Sequence, residues 1–432
     1  MKIKNIFAYH QLDSRGYPTI GVIIESNDNL TSKVLIPSGA STGIKEAVEL
    51  RDNEEKNYFG KSVFKAIDNI NNIIAPKLIG LDFTKQDEID QIMIDLDGTK
   101  NKSNLGANAI LAVSLAIAKI SAQHFDIPLY EYIATHLLKT KINKNHFPMP
   151  MINVLNGGAH SDNSLDFQEF MIVPISANSI SESIKMGSEV FYSLGIILKN
   201  HEKPTSKGDE GGYSPDFESI DELFKILNDA IIHAGYIPET DIVIGIDVAA
   251  SEFCEEDNSY FFKKAFLKNI LSKEESTKTS KQLLDYYLDL KNKFPIKYIE
   301  DPFDEENWEY FKLITENSNI EIIGDDLYCT NIDLLTRGIK ERSSNGILIK
   351  LNQIGSLSET LKCIKAAQNA NIKITISHRS GETCDSTIAD LAIAVGAEKI
   401  KTGSFSRSER ISKYNRLLEI EQNFLHNKFI FK

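Results

Sequence analysis

Ile242-Val243-Ile244-Gly245-Ile246-Asp247, Ile296-Lys297-Tyr298-Ile299-Glu300 and Ile320-Glu321-Ile322-Ile323-Gly324-Asp325 are short apolar runs that each end on an acid. The beat continues in Gly346-Ile347-Leu348-Ile349-Lys350, Ile372-Lys373-Ile374-Thr375-Ile376-Ser377-His378 and Glu398-Lys399-Ile400-Lys401, where a reactive polar residue again closes the run. From Glu300 onward the closing residues recur about every 23–28 positions, the length of one strand plus one covering helix in a parallel α/β barrel. Residues at the C-terminal ends of such strands converge on one mouth, where barrels of this kind keep their chemistry. A single acid ending a strand is commonly a cap or a solvated group. Three at barrel spacing point to a metal site.

Composition sets the bounds. A chain of 432 residues exceeds one compact core, so two domains are expected. The net charge of −13 argues against nucleic acid and anionic membrane as partners. No run approaches the roughly 18 apolar residues of a membrane span, and His10, Gln11 and Asp13 interrupt the start before a signal-type apolar stretch can form, so a cytoplasmic location is expected. Cys254, Cys329, Cys363 and Cys384 lack CxxC spacing and read as reduced structural thiols.

Pro18–Glu25 and Ser32–Ile36 alternate like hairpin strands about the turn-rich Asn27-Asp28-Asn29. A helical section is expected from Gly60 to Leu78. Ala107–Ala122, apolar on most faces, reads as a buried helix. The stretch His136–Pro150 has the composition of a connector and divides an N-terminal α+β domain, residues 1–138, from a barrel domain, residues 139–432.

Four motifs then occur in order: Asp13-Ser14-Arg15-Gly16, Pro37-Ser38-Gly39-Ala40-Ser41-Thr42-Gly43, Gly208-Asp209-Glu210-Gly211-Gly212-Tyr213 and Ser377-His378-Arg379-Ser380-Gly381-Glu382-Thr383. Between and after them stand Asn156-Gly157-Gly158, Gln168-Glu169-Phe170-Met171, Gly324-Asp325-Asp326-Leu327, Lys350-Leu351-Asn352-Gln353-Ile354-Gly355 and Lys401-Thr402-Gly403-Ser404. With this ordered set the chain resembles the enolase family, the phosphopyruvate hydratases. The resemblance implies an eight-fold α/β (TIM-like) barrel whose first elements depart from βα alternation, with an N-terminal α+β capping domain. It also implies reversible dehydration of 2-phosphoglycerate to phosphoenolpyruvate, a step of glycolysis and gluconeogenesis.

The residues suit that chemistry. Taking a proton from carbon beside a carboxylate creates an enediolate, whose charge needs cations placed where it develops. Asp247, Glu300 and Asp325 offer all-oxygen ligation, which favours Mg2+ over zinc. By resemblance a second, substrate-dependent Mg2+ involves Ser41, in a Gly39/Gly43-flanked loop that closes on substrate. Lys350 is expected to take the C2 proton, and neighbouring cations, Lys401 among them, to keep it neutral. Glu210, with Glu169 beside it by resemblance, is expected to protonate the leaving hydroxyl, because two carboxyls in one site raise each other's proton affinity. The resemblance further assigns Arg379 and Ser380 to phosphate, Lys401 to the substrate carboxylate, and His160 and His378 to the catalytic site.

The departures from the family pattern cluster. Tyr9 and Tyr17 stand in Ala8-Tyr9-His10-Gln11-Leu12-Asp13-Ser14-Arg15-Gly16-Tyr17-Pro18-Thr19 where the family has Arg and Asn, Gly21 stands where Glu is common, and Glu419 where Arg is common. In the family these are interface positions, and Glu409 loses its partner with Tyr9. A homodimer or higher homo-oligomer held by tyrosine packing in place of ion pairs is expected. Two other readings of the chain are an enolase-like enzyme acting on a phosphonate analogue and a non-catalytic binding relative on the same fold.

Overall fold

The computed structural model describes residues 1–39 and 43–432. The N-terminal domain is a three-stranded antiparallel meander, β1 (Ile3–Leu12), β2 (Pro18–Ser26) and β3 (Thr31–Leu35). β2 is central, and its β-branched Ile20, Val22 and Ile24 are fully buried against the helix Ala107–His124. That helix is Ala-rich because it is enclosed on nearly every side, with Ser32 Oγ of β3 donating to the Ala116 carbonyl at 2.8 Å. The expected helical section 60–78 is three joined segments, Phe64–Asn69, a wider π-type turn Ile70–Ile74, and Ala75–Leu78. Pro76 follows the wide turn and has no N–H to give it.

Tyr9 and Gly21 are direct cross-strand partners. A Cβ on Gly21 would lie 2.9 Å from the Tyr9 ring, so the glycine makes room for the tyrosine within one sheet. Glu419 pairs with Arg416 at 3.1 Å and Glu409 with Arg410 at 3.6 Å. The departures at 9, 21 and 419, and the Glu409 that Tyr9 leaves behind, therefore have partners inside the chain.

The barrel closes in the order β10 (Glu321–Gly324), β11 (Gly346–Ile349), β12 (Lys373–Ser377), β13 (Lys399–Lys401), β4 (Met149–Asn156), β5 (Glu169–Val173), β6 (Val243–Asp247), β9 (Ile296–Glu300). A side hairpin, β7 (Tyr260–Phe261) with β8 (Thr277–Lys278), lies outside it. β5 runs antiparallel to both neighbours and every other adjacent pair is parallel. All six strands read from the apolar runs are present. The connector is shorter than the composition suggests: His136 and Leu137 complete a helical turn and Met149-Pro150 open β4, leaving 138–148 irregular. Pro150 is tolerated because it sits at the start of its strand.

Outer helices begin on side-chain caps, Thr279 for Ser280–Lys293, Asn331 for Ile332–Glu341 and Ser356 for Leu357–Asn369. No single helix among the described residues is long and apolar enough to cross a membrane. All four cysteines are free.

Candidate active site

Inward-facing residues of a barrel strand recur every second position. Val243, Gly245 and Asp247 climb β6 this way, Tyr298 and Glu300 climb β9, and Ile323 and Leu348 lead to Asp325 and Lys350 just past β10 and β11. β5 reaches the same mouth by its beginning, because it runs the other way: Glu169 pairs with Asp247, and Asp247 with Glu300, in one row.

Lys401, at the end of β13, sits beneath that row. Its Nζ lies 2.7 Å from Asp247 Oδ2, 2.9 Å from Glu300 Oε2 and 3.0 Å from Glu169 Oε1, one acid for each of its three protons. Burial opposes its charge, but the three carboxylates outweigh burial and hold it well above the ordinary lysine range. Burial, and then Asp247, push Glu300 well above the usual carboxylate range.

Glu210 is presented by the tight turn in which Gly208 N–H donates to the Gly212 carbonyl at 2.9 Å. Its carboxylate accepts from Asn153 Nδ2 at 2.8 Å and lies 3.6 Å from His160 Nδ1 and 3.4 Å from His378 Nε2. Burial works against its charge, yet the groups that face it, the Nε2–H of His378 first, then His160 and the Arg410 cation, hold it well below the usual range, while burial and the Glu210 charge push Glu169 well above it. Of the two, Glu169 is therefore the carboxyl biased toward its protonated form. His378 is held neutral by burial. Arg410 Nη1 lies 2.8 Å from His378 Nδ1, and because arginine only donates, Nδ1 is the acceptor and the ring proton is on Nε2, facing Glu210.

Lys350 pairs directly with Asp325, whose other oxygen accepts from Gln353 Nε2 at 2.8 Å. Burial pushes Lys350 down, but Asp325 more than reverses this and holds it above the ordinary lysine range. The expectation of a neutral Lys350 is thus not met by the protein's own groups: Lys401 and Arg379 act in the expected direction and are outweighed. Arg379 forms a fork on Glu46, Nη1 to Oε2 at 2.9 Å and Nη2 to Oε1 at 3.2 Å, and also donates to Asn352 Oδ1 at 3.0 Å.

Nine of the twelve expected residues line one cavity: His160, Glu169, Glu210, Asp247, Lys350, His378, Arg379, Ser380 and Lys401, with Gln168 and Ser377 between them. Its volume of about 20 Å³ has room for one water, so anything larger can enter only if the lining opens. Glu300 and Asp325 stand outside its lining, and Ser41 lies outside the described residues.

A divalent cation suits the donors present. Five carboxylates, Glu169, Glu210, Asp247, Glu300 and Asp325, are buried beside two lysines, and Glu300 Oε1 and Glu169 Oε2 have no hydrogen-bond partner among the described residues. The oxygens of Asp247, Glu300 and Asp325 are not the tightest grouping, however. Acid and imidazole atoms lie within 4.8 Å of one another in His160/Glu169/Glu210 and in Asp301/Asp325/Asp326, while Lys401 bridges Asp247 and Glu300 and Lys350 pairs with Asp325.

Sequence reasoning missed several supports. Arg410 and Lys413, fully buried on the helix Ser408–His426, brace the 378–383 segment: Arg410 Nη2 donates to the Ser380 carbonyl at 2.6 Å and Lys413 Nζ to Glu382 Oε2 at 2.7 Å. Asp301 receives the backbone N–H groups of Asp325 and Asp326 at 2.9 and 2.7 Å. The N-terminal domain touches this segment where Ser38 N–H donates to Gly381 O at 2.7 Å; a Cβ on Gly381 would lie 2.3 Å from Ser38 Oγ, so only glycine fits.

Residues 3–133 match the family model described as enolase, N-terminal domain, and residues 144–431 the one described as enolase, C-terminal TIM barrel domain. The enolase of Mycoplasma genitalium is 52% identical over 423 residues, covering 97% of this chain and 92% of the relative. That of Mycoplasmoides gallisepticum is 50% identical over 431 residues, covering 99% and 90%. With both domain models matched in tandem and half-identity along nearly its whole length to these relatives, the chain belongs to the enolase family.

Proposed function

We propose that the cavity catalyses the reaction of this family, the reversible dehydration of 2-phosphoglycerate to phosphoenolpyruvate, with Lys350 as the base for the C2 proton and Glu210 as the group that delivers a proton to the leaving C3 hydroxyl. The observation that carries the assignment is the convergence of Lys350, Lys401, Arg379 and the Glu169/Glu210 pair on one buried cavity. Arg379, with Ser380, takes the phosphate by exchanging one bidentate acceptor, Glu46, for another. Lys401, held charged, takes the substrate carboxylate. Lys350 acts as a base once Asp325 no longer holds its proton. Glu169 stores the proton of the carboxyl pair, and His378, with its Nε2–H toward Glu210, keeps the pair poised. Two Mg2+ ions, one on Asp247, Glu300 and Asp325 and a second, substrate-dependent one that includes Ser41, would supply positive charge where the enediolate develops.

A homodimer in the cytoplasm, with the domains dividing at 138/139, belongs to the same proposal. Phe7 and Leu12 on β1 are more than half exposed, an apolar face suited to a second copy. Steady-state formation of phosphoenolpyruvate from 2-phosphoglycerate, with Mg2+, after chelation and after Mg2+ is restored, tests the reading. Folded protein without turnover overturns the function, and turnover that survives exhaustive chelation overturns the metal.

A further inference from the structure

His160 rides on a single short turn, Gly158–His160, that is fastened from two sides. On one side the His160 carbonyl accepts from the N–H of Asp209, the residue before Glu210, at 3.4 Å. On the other stands Lys264, 106 residues further along the chain than Gly158. Its Nζ donates to the carbonyls of Gly158 and Ser161, which bracket Ala159 and His160. The hold is mutual. Asp166, on the loop that follows the turn, receives the N–H of Lys264 at 2.8 Å with one carboxylate oxygen and that of Ala265 at 3.1 Å with the other, supplying acceptors for the start of the short helix Lys263–Leu267. The amine that holds the turn thus belongs to a backbone that the turn's own loop holds. Apolar packing joins the two segments less closely, because Leu165, Phe167, Phe217, Phe262, Ile270 and Leu271 line a cavity of about 140 Å³ between them. His160 depends on such an anchor: its Nδ1 is buried without a hydrogen-bond partner among the described residues, 3.6 Å from Glu210 Oε2, so its place opposite Glu210 is set by its backbone.

We propose that Lys264 is a positioning residue, holding the His160 imidazole opposite Glu210 through the carbonyls of Gly158 and Ser161; the proposal rests on the dehydration reaction assigned to the cavity above. Lys264 lines no part of that cavity, so its influence on turnover passes through the turn. A lysine suits the task because its compact ammonium has three donors and can serve two carbonyls at once. Removing the amine leaves the turn attached only on its Glu210 side and frees the ring to drift from the carboxyl it faces.

The test is a double-mutant cycle of Lys264→Met and His160→Ala in the full chain, read by kcat and KM for phosphoenolpyruvate formation and by the NMR imidazole signals of histidine-labelled protein. The His160 signal is the one lost in His160→Ala. Lys264→Met is expected to lower kcat by about 10–100-fold with KM changed by no more than about threefold, the size of effect a small misplacement beside the reacting atoms produces. It should also shift or broaden the His160 signal and cost less than about twofold in the His160→Ala background, because a residue acting through His160 has nothing left to place there. An undiminished loss in that background, an unchanged kcat or an unmoved His160 signal overturns the proposal. Chemical rescue checks the amine itself: Lys264→Cys treated with 2-bromoethylamine regains an amine on a side chain of lysine's length and should return to within about threefold of the parent treated alike. No recovery overturns the role given to the amine. A folded parent without turnover defeats the proposed reaction instead, and the His160 signal in Lys264→Met still decides the positioning.

Discussion

The two ends of the barrel interior are built from the same strands and differ in how their charge is balanced. At the floor, Met151, Met171, Val173, Val243, Ile323 and Leu348 pack into an apolar plug. One buried pair, Lys399 Nζ to Glu321 Oε1 at 2.6 Å, interrupts it, and Lys373 adds a second contact to Glu321 at 3.0 Å. At the mouth, two to four positions along the same strands, five carboxylates crowd two lysines, and Glu169 and Glu300 are pushed toward protonation. The floor is self-neutralised and serves packing. The mouth is left short of positive charge, which costs stability and prepares it for cations and an anionic substrate.

The largest effect expected from this contrast is at Lys350. Lys350→Ala should lower turnover by about 10²–10⁴-fold or more and abolish exchange of the C2 proton, because a base acts before the acid. Glu210→Gln should lose dehydration comparably while retaining exchange. Isotope exchange at C2 followed by NMR separates the two, and normal exchange in Lys350→Ala would remove the base assignment.

How much of this was legible follows from the same geometry. Asp247, Glu300, Asp325, Lys350, His378 and Lys401 could be read directly, because each closes an apolar run on a strand that points at the mouth. Glu169 could not, since β5 is antiparallel and delivers its acid from the first residue, a reversal that depends on tertiary pairing. Glu210 and His160 sit on turns without periodicity, and only the resemblance identified them. Arg410 did leave a signal: it shares a helix face with Lys413, Tyr414 and Leu417, and charged residues on an otherwise apolar face announce buried partners. Glu46 left none, because its pairing with Arg379 spans most of the chain. The joint change at positions 9 and 21 was not legible as a pair, because only the cross-strand register of β1 and β2 brings Tyr9 opposite Gly21.

An intermediate effect is expected at the floor, in stability rather than turnover. Glu321→Leu strands Lys399 in the interior and should cost about 3–5 kcal/mol, whereas Glu321→Leu with Lys399→Met should recover most of that, since an apolar pair can replace a buried ion pair. The sign of its pH dependence is fixed. Burial already holds Lys399 below the ordinary lysine range, with Glu321 opposing, and the single variant lowers it further. Between that folded value and the unfolded one near 10.4 the unfolded chain binds more protons, so stability rises with pH. Thermal melts should therefore show the gap between Glu321→Leu and the parent narrowing from pH 7 toward pH 9.5. A floor variant whose kcat falls as steeply as that of Lys350→Ala would break the contrast between the two ends.

The smallest effect is expected where the two regions meet. Gly245 lies between Val243 of the plug and Asp247 of the mouth, and its backbone is not in the left-handed region, so alanine can adopt it. A Cβ there would meet Met151 Cε at 3.2 Å, Tyr298 Cβ at 3.4 Å and Met171 Cβ at 3.7 Å. Only the first is tight, and it is the flexible end of a methionine, which yields by a few tenths of an ångström at little cost. Against that stands the gain of about 0.4–1 kcal/mol from reducing the freedom of the unfolded chain. Gly245→Ala should therefore change stability by no more than about 1 kcal/mol, and kcat little, because the added methyl points into the plug's upper layer and not at Lys401. Chemical denaturation and steady-state rates on the one variant decide the matter. A loss of several kcal/mol would mean the plug is too rigid to move Met151. A large fall in kcat at unchanged stability would place the boundary of the catalytic layer one step lower on β6, with Gly245 inside it.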